Sequence, residues 1–371
     1  MKRAASVDIF RALTMLAMLW VNDFAGMEGI PHWLGHAAGR EDMLGFSDIV
    51  FPTFLFCMGM SIPLALDKRL SNGSGLPGTV FHIILRSASL IIMGIYELNA
   101  HTSGFELMTA LAVFLIWCDY PRCGSEDKRR CLFCLMRLTG MMILVAMAVR
   151  NWPLKTGWWG ILGLIGWAYL FSTIIYLAVR KVRVLLPVAW AAVIVLVLLS
   201  KGQSHLLDGI PGGWTHIGLA FSGVVCSCAA RELSGKKRPL AFPIAALCAA
   251  SVALVAGIIC HPHWIISKIF ATPTWMFFCL AIDFAAMAAL NYIADHKGWV
   301  KWARPIKAAG VSTLTCYMLP YIWYPLSDFT KLGLPETFYS GIPGLFKALA
   351  FAFLIILIAE LLGKLRIRLK I

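Results

Sequence analysis

Charge is scarce in this sequence. Only 14% of its 371 residues are Asp, Glu, Lys or Arg, against 60% hydrophobic, whereas soluble domains carry about 25% charged residues. A chain with so little to show to water is not a soluble globular domain. Extended polar stretches are missing too, so residues 1–371 read as a single membrane domain. The eleven cysteines form no disulfide framework: Cys57, Cys226, Cys228, Cys248, Cys260, Cys279 and Cys316 lie in or beside apolar runs, where Cys behaves as a small hydrophobe. Cys131 and Cys134 have Cys-x-x-Cys spacing and Cys123 is near, but the partner pair for a zinc site is absent, so no metal is expected. No G-x-x-x-x-G-K-[ST] loop is present, which excludes that class of nucleotide motor. The first apolar run lacks a small-residue cleavage site, so it reads as a span and not a signal peptide. Internal repeats and low-complexity tracts are also lacking.

What is there is apolar sequence, with a mean hydropathy of +0.77. Runs of about 17 to 25 residues recur along the chain, each long enough to cross a bilayer as a helix. They fall at 8–26, 48–66, 79–98, 105–118, 131–149, 158–179, 184–200, 214–230, 240–260, 271–294, 308–326 and 343–363. The expected architecture is all-α and polytopic, with about 10–12 transmembrane helices, the lower number applying if one pair is re-entrant. The net charge of +14 would suggest nucleic acid in a soluble protein, but no basic motif accompanies it. The basic residues gather instead in alternate loops. One set carries clusters such as Lys68–Arg69, Lys128–Arg129–Arg130, Arg180–Lys181 and Lys236–Lys237–Arg238, and the intervening loops hold at most two each. By the positive-inside rule the clustered face is cytoplasmic, which places both termini there. Trp33, Trp152, Trp158, Trp214, Trp264 and Trp299 near span ends fit an interfacial belt.

Polar chemistry concentrates in the connection between the first two spans, which holds Asn22, Asp23, Glu28, His32, His36, Arg40, Glu41, Asp42 and Asp48. Short connections keep successive helices adjacent, so Asn22, Asp23, His36 and Asp48 can converge. SDIVFP also reads as a helix start, with Ser47 or Asp48 as the N-cap. His32, His36, His101, His205, His216, His261 and His263 all map to the non-cytoplasmic side, where polar residues collect anyway. Charges inside spans are site candidates, because placing them there costs a few kcal/mol. Arg11 and Arg86 lie near the cytoplasmic ends of their spans, and Asp283 and Glu360 occur further along the chain. Pairing with a basic residue of a neighbouring helix is the ordinary reading of the two acids.

The runs SVDIFRALTMLAMLWVND, GHAA and SDIVFPTFLFCMGMSI resemble the opening of the heparan-alpha-glucosaminide N-acetyltransferase family of transmembrane acyltransferases. WGILGLIGWAYL and ISKIFATPTWMFFC are similar to its bacterial, NagX-like branch, once described only as a domain of unknown function. The resemblance implies acetyl-CoA as co-substrate on the cytoplasmic side and a glucosamine-type amine as acceptor on the other. It places the chain in a bacterial inner membrane and allows a homodimer. The family's essential histidine, in a His-Ala pair ahead of Asp-Ile-Val-Phe-Pro, matches His36; its Asn at the end of the first span matches Asn22, and its Asp matches Asp48. In place of the lysosomal members' Trp-Asn-Gly element this chain has GREDMLGF, so the acceptor is less constrained than the donor.

An acetyltransferase of this kind needs a base for the attacking amine, and a neutral imidazole serves. His36 is the candidate base, or else a carrier of the acetyl group. Asn22 and Asp48 complete the catalytic candidates, and Asp23, His32 and Glu97 are candidates for binding an amino-sugar or glycosaminoglycan-fragment acceptor. Arg11, Arg86, Lys68 and Arg69 are candidates for the phosphates of acetyl-CoA. The competing reading is an amino-sugar transporter of the N-acetylglucosamine type, which also uses many spans and broken helices.

Overall fold

A computed structural model describes residues 5–73, 75–121, 128–200, 210–233, 240–331 and 334–371. Lys2, Arg3, Arg122, Cys123, Lys201, His205, Lys236, Lys237 and Arg238 lie outside the described residues. Helices dominate, and the described residues pair as strands only at two isolated bridges, Glu28 with Ser340 and Cys118 with Leu369. Nine helices of the described residues are long and apolar enough to cross a membrane. They are α1 (Ala5–Phe24), α2 (Phe46–Ser71), α3 (Leu76–Leu98), α5 (Lys128–Arg150), α6 (Gly160–Val179), α8 (Gly213–Leu233), α9 (Ala241–Cys260), α10 (Pro273–Leu290) and α14 (Gly341–Lys364). Two shorter apolar helices, α4 (Ser103–Trp117) and α7 (Leu185–Ser200), occupy the positions of two further expected spans. The protein is therefore an all-α, polytopic membrane protein.

The span expected at 308–326 is not one helix. It is broken into α11 (Lys307–Val311), α12 (Thr313–Met318) and α13 (Pro320–Thr330). Ser312, at φ −117° and ψ 43°, leaves the helical region. Pro320 then brings no N–H to the backbone ladder, and its ring crowds the preceding turn. A hydropathy run detects apolar length and misses both effects.

The centre of the bundle is α2, which packs on α8 and also touches α1, α3, α6 and α10. Glycines bring α2 and α8 together. A Cβ on Gly59 would lie 1.8 Å from the Ala220 carbonyl oxygen, and one on Gly223 would lie 2.0 Å from that of Phe56. Small residues let backbones approach in a membrane, where hydrophobicity gives helices no reason to leave lipid. The Thr14 hydroxyl and the Cys57 thiol are 3.7 Å apart across α1 and α2, and Arg11 Nη1 donates to Ser61 Oγ at 3.4 Å. At the start of α1 the Ala5 N–H donates to Asp295 at 2.8 Å, filling one of the four orphan donors of a helix N-terminus. The other end of α1 leads into the connection that carries His36.

Candidate active site

The connection between α1 and α2 is organised by Asp48, in the first turn of α2. Its side chain is 3% exposed. Oδ1 accepts from His36 Nδ1 at 2.7 Å, and Oδ2 accepts from the Ala37 N–H at 3.0 Å. The loop 35–45 is thus drawn back onto the helix that follows it. Gly45 makes the return possible: a Cβ there would meet the Gly35 carbonyl oxygen at 2.2 Å. One residue before the acid, Ser47 donates to the Leu34 carbonyl oxygen at 2.7 Å and fixes the other strand of the loop. With Nδ1–H committed to Asp48, the second ring nitrogen, Nε2, keeps its lone pair and is the basic atom of the pair. The His36 side chain is 41% exposed, so this base faces out of the fold.

A second loop, the connection 261–272 between α9 and α10, is sewn to the first. Asp42 accepts from the Ile266 N–H at 2.8 Å and pairs with His261 Nε2 at 2.8 Å. The backbone bond from Ile266 is the main reason the Asp42 carboxyl is held below the ordinary carboxylate range. Ser267 donates to the Gly39 carbonyl oxygen at 2.8 Å, and Trp275 Nε1 donates to the Asp48 carbonyl oxygen at 3.1 Å. This clamp brings Lys268 to the dyad, with Nζ 3.4 Å from His36 Nδ1 and 4.0 Å from Asp48 Oδ1. Burial depresses the Lys268 pKa, partly offset by the Asp48 charge. Lys268 was not among the expected site residues. The signal available was its place inside the ISKIFATPTWMFFC run, as a lone cation in a loop of the basic-poor face.

The other candidates separate into distinct places. His32 is 71% exposed and pairs with Glu41 at 3.3 Å. Asn22 is exposed near the end of α1, and among the described residues no hydrogen bond joins it to His36. Asp23 accepts from Tyr324 and from Lys347 of α14, both at 2.9 Å, on the wall of a separate pocket of about 420 Å³ that Tyr339 also lines. Glu97, at the end of α3, accepts from Tyr317 at 2.6 Å and Tyr321 at 3.0 Å, both on the broken segment, and from the Leu162 N–H at 3.3 Å. Asp283 is fully buried, and among the described residues it has no basic partner: Thr53 donates to its Oδ1 at 2.6 Å, and Oδ2 has no hydrogen-bond partner. Glu360 pairs with Lys364 of its own helix at 3.1 Å. The expected pairing of these two acids with a neighbouring helix is therefore not what the fold contains.

Two of the four expected donor-binding cations meet in one cavity. Arg11 and Arg86 line a space of about 270 Å³ among α1, α2, α3, α6 and α12, with Cys57, Ser61, Tyr169 and Tyr317. The Arg86 guanidinium lies 4.8 Å from the centre of the Tyr169 ring, and among the described residues its buried Nε has no hydrogen-bond partner. Arg11 also pairs with Asp8 at 2.7 Å. On α2 the cavity wall runs from Phe54 to Ala65, a rise of about 17 Å at 1.5 Å per residue. Its outer limit, Phe54, is six residues from Asp48, about 9 Å along the same axis. Lys68 and Arg69 are not in its wall; Arg69 donates to the Gly78 carbonyl oxygen at 3.4 Å and Lys68 is exposed. Of the other lining residues, Tyr169 lies inside the WGILGLIGWAYL run, whereas Tyr317 carried no signal in the sequence. Among the described residues no group of three or more His, Cys, Asp or Glu is placed to hold a metal ion.

Fold and site together define a class: polytopic helical membrane proteins with a histidine–carboxylate dyad at one end of a central helix and an arginine-walled cavity along the rest of it. Residues 3–216 match the family described as a domain of unknown function, DUF5009, and the chain belongs to that family. It is also similar to heparan-alpha-glucosaminide N-acetyltransferase of Homo sapiens, 36% identical over 98 residues. The mouse protein of the same name is 34% identical over 98 residues. The matched stretch is 26% of this chain and 14% of the human protein, so the chain spans a small part of the curated relatives it matches.

Proposed function

We propose that this protein is a transmembrane acetyltransferase that moves an acetyl group from acetyl-CoA to the amine of a glucosamine-type acceptor. The observation that carries the reading is the arrangement along α2. A base held by a buried carboxylate sits at one end, and a cavity with two arginines runs toward the other. The partial likeness to an N-acetyltransferase supports the same chemistry.

The residues fit the donor by charge and size. A cavity of about 270 Å³ takes the thioester arm of acetyl-CoA and not the whole molecule. The phosphates then belong near its mouth, within reach of Arg11 and of Arg86, whose buried Nε lacks a hydrogen-bond partner among the described residues. Guanidinium groups are the side chains of choice for phosphate. By the positive-inside rule the cavity end faces the cytoplasm and the His36 loop the opposite side; the family resemblance implies a bacterial inner membrane.

In the reaction the acceptor amine attacks the thioester carbonyl. A C–N bond forms, the C–S bond breaks, and CoA leaves as a thiolate. His36 Nε2 takes the proton that the nitrogen sheds and returns it to the sulfur, a role that raises rates roughly a hundredfold to ten-thousandfold. Asp48 fixes the ring orientation and tautomer and stabilises the imidazolium that forms. Asn22, exposed near the end of α1, is a candidate donor to the oxyanion. Asp23, His32 and Glu97 remain candidates for the acceptor sugar. The exposure of His36 suits a soluble amino sugar or glycosaminoglycan fragment arriving from outside.

One observation favours a second reading. A discontinuous helix beside a polar site, as α11–α13 beside the half-buried Glu97, is a recurrent feature of secondary transporters. A carrier of amino sugars is therefore the alternative. Purified wild type and His36→Ala, given labelled acetyl-CoA and glucosamine, decide between them. Label on the sugar with wild type and not with the variant is the expected result. Absence of transfer, with uptake of the sugar into proteoliposomes, would overturn the enzyme reading.

A further inference from the structure

We infer that Lys268 is a positioning residue of the dyad, whose ammonium shares Asp48 with His36 and so keeps His36 in the neutral form a base requires. The inference rests on the reading of His36 as the base.

The argument begins with Asp48. A buried carboxylate bonded to an imidazole favours the imidazolium, because the ion pair satisfies the acid. A base already protonated is useless to an amine. A second cation at the same carboxylate removes that bias. Lys268 Nζ lies 4.0 Å from Asp48 Oδ1 and 3.4 Å from His36 Nδ1, so a charge on His36 would meet a like charge at contact distance. Like charges within about 4–6 Å disfavour the charged form. The Lys268 side chain is only 28% exposed, and the interaction is correspondingly less screened than one at an open surface.

The other charged and titratable groups of the neighbourhood are otherwise engaged or set back. In the same loop Glu41 accepts from the Ala38 N–H and pairs with His32, and Arg40 is exposed. From the 261–272 loop, Asp42 is tied to His261 and to the Ile266 N–H. On α10, Cys279 is a buried thiol. On α8, His216 stacks edge-on to Phe51 and Trp275 and bonds the Gly212 carbonyl oxygen. Lys268 is thus the cation placed to offset Asp48. The position is enforced from both sides, by Ser267 on the Gly39 carbonyl oxygen and Trp275 on that of Asp48.

The test reads the protonation of His36 directly, so that it stands apart from the transfer reaction. Diethyl pyrocarbonate acylates neutral imidazole and not imidazolium. Its rate at His36, followed by mass spectrometry against pH in the full chain in detergent, gives the pH at which the ring becomes neutral. Lys268→Met and Lys268→Gln are expected to move that midpoint up by about 1–3 pH units, the range for loss of one nearby charge. Lys268→Arg should leave it near wild type. If transfer is measurable, the acidic limb of its pH profile should move by the same amount, with activity recovered at higher pH. An unchanged midpoint in folded Lys268→Met or Lys268→Gln overturns the inference, whether or not the protein transfers acetyl groups. Failure of wild type to transfer at any pH, with the midpoint shifted, would overturn the acetyltransferase reading and leave the charge relation intact. Should both neutral variants fail to fold, Lys268→Arg decides: a midpoint displaced by a unit or more overturns the inference, and one kept near wild type, with fold restored, supports a required cation.

Discussion

Asp48 bonds two successive residues of one loop, His36 through its ring and Ala37 through its backbone. A carboxylate is suited to both because it only accepts. An asparagine in its place keeps the shape but brings a donor to one of the two positions. If the amide NH₂ faces His36, Nδ1 must accept and Nε2 must carry the proton, which removes the base. If it faces Ala37, two N–H groups oppose each other. Asp48→Asn is therefore expected to lower kcat by about a hundredfold or more, with little change in KM for acetyl-CoA. Steady-state kinetics check this. A parallel rise in donor KM would place Asp48 in donor binding instead. At this scale the sequence was half legible. His36 and Asp48 stand 12 positions apart in one polar connection, so both were readable as a pair. Lys268 is 232 positions away from His36 and reaches it only through the clamp between two loops.

At the scale of elements, α2 connects the two ends of the site, and its seat on α8 depends on Gly59 and Gly223. The alternation of apolar runs and turns showed the helices well, because in lipid only a satisfied backbone can cross. It did not show which helices would touch, or that the segment 308–326, where Pro320 reads as a kink, would also break at Ser312. Gly59 shows why: it reads as a small residue in a greasy run, and only the fold places it against the Ala220 carbonyl oxygen. A single methyl group there has no room, since the atom it meets is backbone. Gly59→Ala is expected to lose about 1–3 kcal/mol, the usual cost of overpacking a core. Thermal unfolding of the detergent-solubilised variant measures it. A transition at the wild-type temperature would mean that α2 and α8 separate more easily than their contact implies.

The whole molecule has a direction. Arg11 of α1 and residues 369–371 line the same cavity, so the described ends of the chain lie together at the cavity end, and the His36 loop lies at the other. That relation follows from the fold, whereas the expected side of each end in the cell rests on the charges of alternate loops alone. The tail is tied into the cavity end by backbone bonds from Leu369 to Thr315 Oγ1 and from Lys370 to the Trp117 carbonyl oxygen. On the proposed reading the two substrates enter from opposite faces, and transfer is a vectorial reaction. Proteoliposomes with mixed insertion separate the two faces. With acetyl-CoA enclosed and glucosamine outside, only molecules with the cavity end inward should label the sugar, and the product should appear outside. With both substrates outside, transfer should fall to the level permitted by leakage. Equal rates in the two arrangements would mean that donor and acceptor reach His36 from one face. The cavity along α2 would then need another occupant, such as a lipid chain or a transported sugar.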